Sequence, residues 1–181
     1  MNRINRLSKD NTQWISEAAA LLMEAFPDDY RTNIDDAMDE IHVCLDEEKI
    51  ALVAIEEGHT VGFVGAIPRY NHTGWELHPL MVAKEHQNEG VGSKLVAALE
   101  QEVLLQGGIM IYLGSDDKDG ATSLSEYDLW EDTLEKIKNI KNYKHHPYEF
   151  YQKQGYKIVG VLPDASGIGK PDIWLAKHLK A

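Results

Sequence analysis

Apolar residues recur at helical spacing through Trp14, Ala18, Leu21, Leu22 and Ala25, which predicts a helix from Trp14 to Phe26 with one buried face, ended by Pro27. Ile4 to Leu7, just before it, reads as a short edge strand. The helical period returns over Ile34 to Leu45 through Ile34, Met38, Ile41 and Leu45. The pattern then changes: Ile50 to Ile55 is β-rich and passes through Glu57-Gly58 into Val61 to Ile67, as a hairpin with a short loop would. Thr73 to Val82 is another strand, interrupted by Pro79. Proline cannot donate to a ladder, so an edge or a bulge is expected there, and the sheet is expected to open at that point.

From Gly92 to Gln106, Leu95, Val96, Leu99, Val103 and Leu104 define an amphipathic helix that Gly107-Gly108 stops. A strand follows at Ile109 to Leu113. The stretch from Gly114 to Asn142 is polar and acidic, with a weak helical pattern around Leu129 to Ile140, and predicts a large excursion over one face. Pro147 opens a short helix through Lys153, Gly155 ends it, and Tyr156 to Val161 and Ile173 to Ala176 complete the strands. No repeat or low-complexity tract divides the chain, so one α/β domain over residues 1–181 is expected.

Composition narrows the setting. With 43% apolar and 27% charged residues, 181 residues can bury a core of ordinary domain size. No run approaches the roughly 18 apolar residues of a membrane span, and Met1 to Asp10 lacks a signal-peptide core. A cytoplasmic protein that does not engage membranes is expected. Cys44 is the only cysteine, which excludes an intramolecular disulfide and a cysteine-based zinc site; within its apolar helical pattern it reads as buried filler. The net charge of -12, from 18 Lys plus Arg against 30 Asp plus Glu, repels phosphate backbones. Nucleic acid is therefore not an expected partner. The acidity either attracts cations or serves only solubility.

Candidate chemistry begins at Val82 to Ser93, where a glycine-containing turn joins a strand to a helix. The first N–H groups of a helix lack internal partners and sit at its positive end, while Gly90 and Gly92 let a pyrophosphate approach the main chain. A plain tight turn would use the same glycines. The third glycine of a dinucleotide fingerprint is missing, and so is the Gly-Lys-Ser/Thr of a nucleotide-hydrolase loop. On the preceding strand, Glu76 and His78 are two apart and share a face, with Trp75 and Leu77 on the other. They could begin a metal site, but no third ligand has comparable support, and no metal is expected. Asp116-Asp117-Lys118-Asp119-Gly120 with Glu126 nearly fits a calcium loop, yet Ser115 stands where the first aspartate belongs and a strand precedes it. His145-His146 is too close-spaced and isolated for a metal site.

Gln87-x-x-Gly90-x-Gly92 is similar to the pyrophosphate-binding signature of the GCN5-related N-acetyltransferase (GNAT) superfamily. Further stretches resemble the aminoglycoside 6'-N-acetyltransferases of Gram-positive bacteria: Val61-Gly62-Phe63-Val64-Gly65-Ala66-Ile67-Pro68, Gly74-Trp75-Glu76-Leu77-His78-Pro79-Leu80 and His146-Pro147-Tyr148-Glu149-Phe150-Tyr151. So do Gly155 to Pro163 and Lys170-Pro171-Asp172-Ile173-Trp174. The likeness is close over about residues 45 to 178 and loose before that.

The resemblance implies the GNAT fold, a mixed sheet of about six or seven strands splayed near Pro79 with helices on both faces. It implies acetyl-coenzyme A as cosubstrate, lying between the strands at Thr73 to Val82 and Ile109 to Leu113. The cofactor would run along Leu80, Met81 and Val82, with its pyrophosphate on Gln87, Asn88, Glu89, Gly90, Val91, Gly92 and Ser93. Glu76 and His78 match the positions that handle the amine proton, and Tyr151 the tyrosine that donates to the departing thiolate. Phe26, Tyr70, Glu76, Asp116, Asp117 and Asp119 would face a cationic acceptor. A homodimer is implied, with Ile173 to Ala176 a candidate contact.

The chemistry needs such groups. An amine in neutral water is mostly ammonium, which has no lone pair for attack on a thioester, so a carboxylate or its neighbour must hold the cation and take its proton. Negative charge then develops on the thioester oxygen, which a backbone N–H beside the strand opening can stabilise; Leu80, after Pro79, is the candidate. The expected activity is direct acetyl transfer to a primary amine, foremost the 6'-amino group of aminoglycosides, the basis of antibiotic resistance. The alternatives are a GNAT enzyme for a polyamine, another small amine or a protein amino group, and a non-catalytic acyl-coenzyme A sensor.

Overall fold

The computed structural model describes residues 2–27, 33–126 and 128–180. Seven strands and, among the described residues, five α-helices give the mixed α/β class expected. The chain falls into two compact units, residues 1–109 with 179–181, and residues 110–178.

In the first unit, β1 (Arg3–Arg6), β2 (Ile50–Glu56), β3 (His59–Arg69) and β4 (Gly74–Val82) form successive antiparallel pairs. Helices α1 (Thr12–Ala25) and α2 (Ile34–Val43) cover one face. Their apolar stripes, including Ile15, Ala18, Ala19, Leu22, Ala37 and Ile41, share a core with Val53, Phe63 and Met81. Helix α3 (Val91–Leu105) covers the other: a Cβ built on Gly62 would lie 2.9 Å from Leu95 Cδ1 and 3.3 Å from Val91 Cγ1. Successive strand residues point to opposite faces, so Phe63 looks to α1 and α2 while Gly62 and Val64 look to α3. Asn33 caps α2 by accepting from Asp35 N at 2.9 Å. On α1, Glu17 pins the start of β3, taking the Thr60 N–H at 2.7 Å and contacting His59 Nδ1 at 2.8 Å.

In the second unit, β5 (Met110–Asp116) pairs antiparallel with β7 (Asp172–His178), which pairs antiparallel with β6 (Lys157–Leu162). The expected helix over Leu129 to Ile140 is shorter, α4 at Thr133–Lys138, and α5 spans Tyr148–Lys153 with Pro147 at its N-cap. Strand β5 runs three residues beyond the expected Leu113, because β7 continues opposite it to the pair Asp116 and Asp172.

Candidate active site

The β3–β4 ladder breaks where proline forbids it. Val64 pairs with Leu80 and Ala66 with Leu77, so Gly65 alone faces both His78 and Pro79. This is a bulge on β4, and Pro79 explains it by supplying no N–H. The extra residue changes which face the strand presents. Before the bulge, Glu76 pairs with Ile67 on the side of α1 and α2, while Trp75 pairs with Pro68 on the α3 side. After it, Leu80 pairs with Val64 on the α3 side and Met81 enters the α1–α2 core.

Glu76 and His78 therefore share the α1–α2 face. Arg69, diagonal to Glu76 in the ladder, donates to its Oε2 from Nε at 2.9 Å and from Nη2 at 2.8 Å. His78 Nε2 lies 3.4 Å from Glu40 Oε1 on α2, with the His78 side chain 53% exposed. One helical turn on, Cys44 is buried with its Sγ 3.8 Å from the His78 carbonyl oxygen. Burial pushes this thiol up to about 12, with the Glu40 charge adding to it, so it stays protonated and serves as packing.

Beyond β4, a short 3-10 turn at Lys84–His86 leads to the glycine turn. Gly90 caps α3 in the left-handed region, φ 82°, with no side-chain cap, and the first helical hydrogen bond runs from Lys94 N to Gly90 O at 3.1 Å. Only glycine takes that φ without strain. The α3 N-terminus thus offers its first-turn main chain, residues Val91 to Ser93, ahead of the helix ladder. Val91 itself is 1% exposed and packs inward. Gln87 folds its amide back onto Val82 O at 3.1 Å, Asn88 has a positive φ of 64°, and Glu89 shares the His86 Nδ1 with Glu56, both at 3.3 Å. Met81 corrects part of the expectation: its side chain is 2% exposed in the core, so the side chain itself does not meet a ligand. Leu80 and Val82 are half-buried.

In the second unit, Tyr151 on α5 is 8% exposed and meets Phe150 and Tyr156 edge-on. Burial pushes its phenol well above the usual range, so it keeps its proton at neutral pH. His146 anchors this helix. Its Nδ1 accepts from Tyr148 N at 3.2 Å and its Nε2 donates to the Asp116 carbonyl at 3.1 Å, and burial holds it below its ordinary pKa, in keeping with the neutral ring this pattern requires.

Asp117 requires a second correction. It is 1% exposed, and its carboxylate takes Ala121 N at 2.6 Å, Thr122 N at 2.9 Å, Thr122 Oγ1 at 2.7 Å and Ser125 Oγ at 2.8 Å. Its lone pairs are spent on closing the loop, which leaves it no means of meeting an acceptor. Burial alone would raise its pKa; these donors outweigh burial and lower it. Asp116 and Asp119 are exposed, Asp116 accepting from Ser166 Oγ at 2.8 Å with Lys118 Nζ at 3.6 Å. Phe26, at the end of α1, is 38% exposed and Tyr70, in the turn after β3, is 66% exposed.

A glycine turn follows a strand and opens a long helix, and residues 15–129 match the model of the acetyltransferase (GNAT) family. The chain belongs to the GNAT family. Among solved structures, this GNAT chain is similar to an aminoglycoside 6'-N-acetyltransferase complexed with coenzyme A, at 45% identity and a TM-score of 0.95, over 99% of this chain and 98% of that one. It is also similar to the aminoglycoside 6'-N-acetyltransferase from Enterococcus faecium, at 45% identity and a TM-score of 0.92 with the same coverage. A third similar structure is an aminoglycoside 6'-acetyltransferase type Ii, at 38% identity and a TM-score of 0.77, over 99% of this chain and 98% of that one. No curated protein matches the GNAT chain.

Three features of this GNAT domain escaped the sequence reading. Arg69 and Glu40 become partners of Glu76 and His78 only through strand register and helix docking, and no local spacing signals either. Asp172 leans over Gly114, with Oδ2 accepting from Trp174 Nε1 at 2.7 Å and Oδ1 buried without a partner. Among the described residues no group of three or more His, Cys, Asp or Glu is placed to hold a metal ion, and no helix is long and apolar enough to cross a membrane.

Proposed function

We propose that this GNAT domain transfers the acetyl group of acetyl-coenzyme A directly to the 6'-amino group of aminoglycosides, with the whole of residues 1–181 working as one N-acetyltransferase. The observation that carries the reading is the 45% identity, over 99% of the chain, to aminoglycoside 6'-N-acetyltransferases, one of them complexed with coenzyme A.

The pyrophosphate sits on the main chain of Gln87 to Ser93 at the positive end of α3, and the acyl-pantetheine follows the main chain of Leu80 to Val82. Glu76 holds the reacting ammonium, and with His78 disposes of its proton. The Leu80 N–H stabilises the oxyanion. Tyr151, protonated throughout the neutral range, donates its hydroxyl hydrogen bond to the sulfur as thiolate character develops. Asp116 and Asp119, with Phe26 and Tyr70, meet the rest of a polycationic acceptor. The protein works in the cytoplasm as a homodimer, β7 near Ile173 to Ala176 being a contact, and without nucleic acid or membrane.

The test is coenzyme A release, followed with a thiol reagent across kanamycin-type aminoglycosides, polyamines, monoamines and peptides. Turnover fastest on aminoglycosides, with the acetyl group on the 6'-nitrogen by NMR, is expected. Turnover of only a monoamine or peptide would leave the chemistry and remove the acceptor; none at all would favour an acyl-coenzyme A sensor.

A further inference from the structure

Resting on that reading, we propose that Glu40 of α2 is a positioning residue that makes His78 the proton acceptor of the reaction, the two forming a carboxylate–imidazole dyad beside Glu76.

Two contacts bind α2 to the bulge. Glu40 Oε1 is 3.4 Å from His78 Nε2, and Cys44, one turn later on the same helix face, rests against the His78 carbonyl oxygen. A Cβ on Gly65 would lie 3.1 Å from Cys44 Sγ and 2.5 Å from His78 O, so helix, bulge and opposing strand are packed without slack. The imidazole therefore projects from a part of β4 whose main chain is held from both sides.

The carboxylate sets the ring's chemistry. With Nε2 turned toward Glu40, the proton of neutral imidazole belongs on Nε2 and the lone pair on Nδ1. Among the described residues no other ion pair or hydrogen bond engages the His78 ring. Nδ1 is thus the atom left to act as base. Glu76 is differently placed, since Arg69 already delivers two N–H groups to its Oε2; it retains Oε1 to hold the ammonium as an ion pair.

An N–H bond of the acceptor ammonium breaks, its electron pair stays on nitrogen, and the proton bonds to His78 Nδ1. The amine lone pair then forms the N–C bond to the thioester carbon, the C–S bond breaks, and sulfur leaves with its electron pair; the nitrogen, now cationic, gives up a second proton, which ends on the departing thiolate to leave the neutral amide and free coenzyme A thiol. The imidazolium is stabilised by the Glu40 charge and returns its proton to water through its exposed ring. Among the described residues, Glu40 and Cys44 of α2 contact His78, and Glu76, paired with Arg69 of β3, shares its strand face; Cys44 is neutral.

The experiment compares wild type, Glu40→Gln, Glu40→Asp, His78→Ala and the Glu40→Gln/His78→Ala double variant. Glu40→Gln should lower kcat roughly tenfold, less than the about 10²–10⁴-fold that general acid–base catalysis supplies in full. It should leave acetyl-coenzyme A affinity unchanged and act on kcat rather than on the KM of the acceptor, because the ring is misplaced while the substrate surfaces are untouched. Glu40→Asp should recover part of the loss, and Glu40→Gln should cost nothing further in the His78→Ala background. Losses that multiply in the double variant, or an effect confined to the KM of the acceptor, would overturn the dyad. A readout free of turnover is the ¹⁵N spectrum of the His78 ring: an unchanged tautomer in Glu40→Gln would overturn it too. Failure of the wild type to acetylate any amine, with that ring signal still responding to Glu40→Gln, would remove the proposed reaction and leave the pairing.

Discussion

Gly65 faces the carbonyl oxygen of His78 so closely that a Cβ at residue 65 would stand 2.5 Å from it. The contact exists because the Pro79 bulge sets two β4 residues against one on β3. The bulge turns Leu80 toward α3 while leaving Glu76 and His78 on the side of α1 and α2, so the side chains proposed to handle the amine and the main chain proposed to meet the acyl group come from adjoining residues with opposite outlooks.

Gly65→Ala is therefore expected to destabilise the protein by about 1–3 kcal/mol, as overpacking against main chain does, and to lower kcat by displacing His78. Gly62→Ala is the control. Its nearest neighbour is the end of the Leu95 side chain at 2.9 Å, which can rotate away, and the one main-chain atom it meets, Met81 O, is at 3.1 Å rather than 2.5 Å, so urea unfolding should show a smaller loss and activity a smaller change.

Most of the fold was legible because the periodicities were long. Helices α1 and α3 and strands β2, β3 and β4 lie within two residues of where hydrophobic spacing puts them, and Pro79 signalled its bulge. Residues 114–142 were not legible, since their order comes from polar closure rather than an apolar stripe. Asp117 looked like one more carboxylate in an acidic run, and only its donors at residues 121, 122 and 125 reveal a buried loop fastener. Glu40 and Arg69 were invisible for a different reason: a residue 38 positions from its partner, or diagonal to it across a ladder, has no signature in spacing.

Asp117→Asn should accordingly injure stability rather than acceptor binding. An amide nitrogen cannot accept, so at least one of the four donors loses its partner, costing about 1–3 kcal/mol, while the KM for aminoglycosides stays near wild type. The pH dependence carries the sign. A carboxylate lowered in the fold stabilises above its unfolded pKa, and that contribution is lost as pH falls through the folded value. Wild type should lose it in acid, and Asp117→Asn should lack that limb in a melting-temperature profile. Asp172 has the opposite sign, because burial raises its pKa. Its contribution falls as pH rises through the folded value, so Asp172→Asn should melt higher than wild type at neutral pH.

Gly92→Asp places bulk and a negative charge in the first turn of α3, where the pyrophosphate is proposed to approach the main chain. Calorimetry should show weakened acetyl-coenzyme A binding in a protein that still folds, because Gly92 is not fully buried. Unchanged affinity would move the cofactor off this turn.

Tyr151→Phe should lower kcat about tenfold to a hundredfold, or about 1.4 to 2.7 kcal/mol of transition-state stabilisation, while acetyl-coenzyme A affinity stays nearly constant. The aromatic contacts with Phe150 and Tyr156 survive the change, so the thermal midpoint should move little. A phenol raised by burial stays protonated through the neutral range, so Tyr151 should contribute no limb to the pH profile below about pH 10. Unchanged kcat in steady state, with single-turnover rates also unchanged, would mean that water rather than Tyr151 meets the thiolate.

If the charge of -12 and the exposed carboxylates Asp116 and Asp119 serve capture of a polycation, acceptor KM should rise steeply with salt. Near 0.15 M salt the Debye length is about 8 Å, so attraction among several solvated charges is screened, while a singly charged amine responds less. Replacing Asp116 and Asp119 with Asn should raise the KM for kanamycin-type acceptors and flatten its salt dependence, with acetyl-coenzyme A affinity unchanged. Glu76→Gln should act on a different quantity, lowering kcat/KM more than either Asn variant, because it removes the charge proposed to hold the reacting ammonium. A KM indifferent to salt and to both Asn substitutions would make the loop acidity a matter of solubility alone, and acceptor recognition would then have to come from the uncharged surfaces at Phe26 and Tyr70.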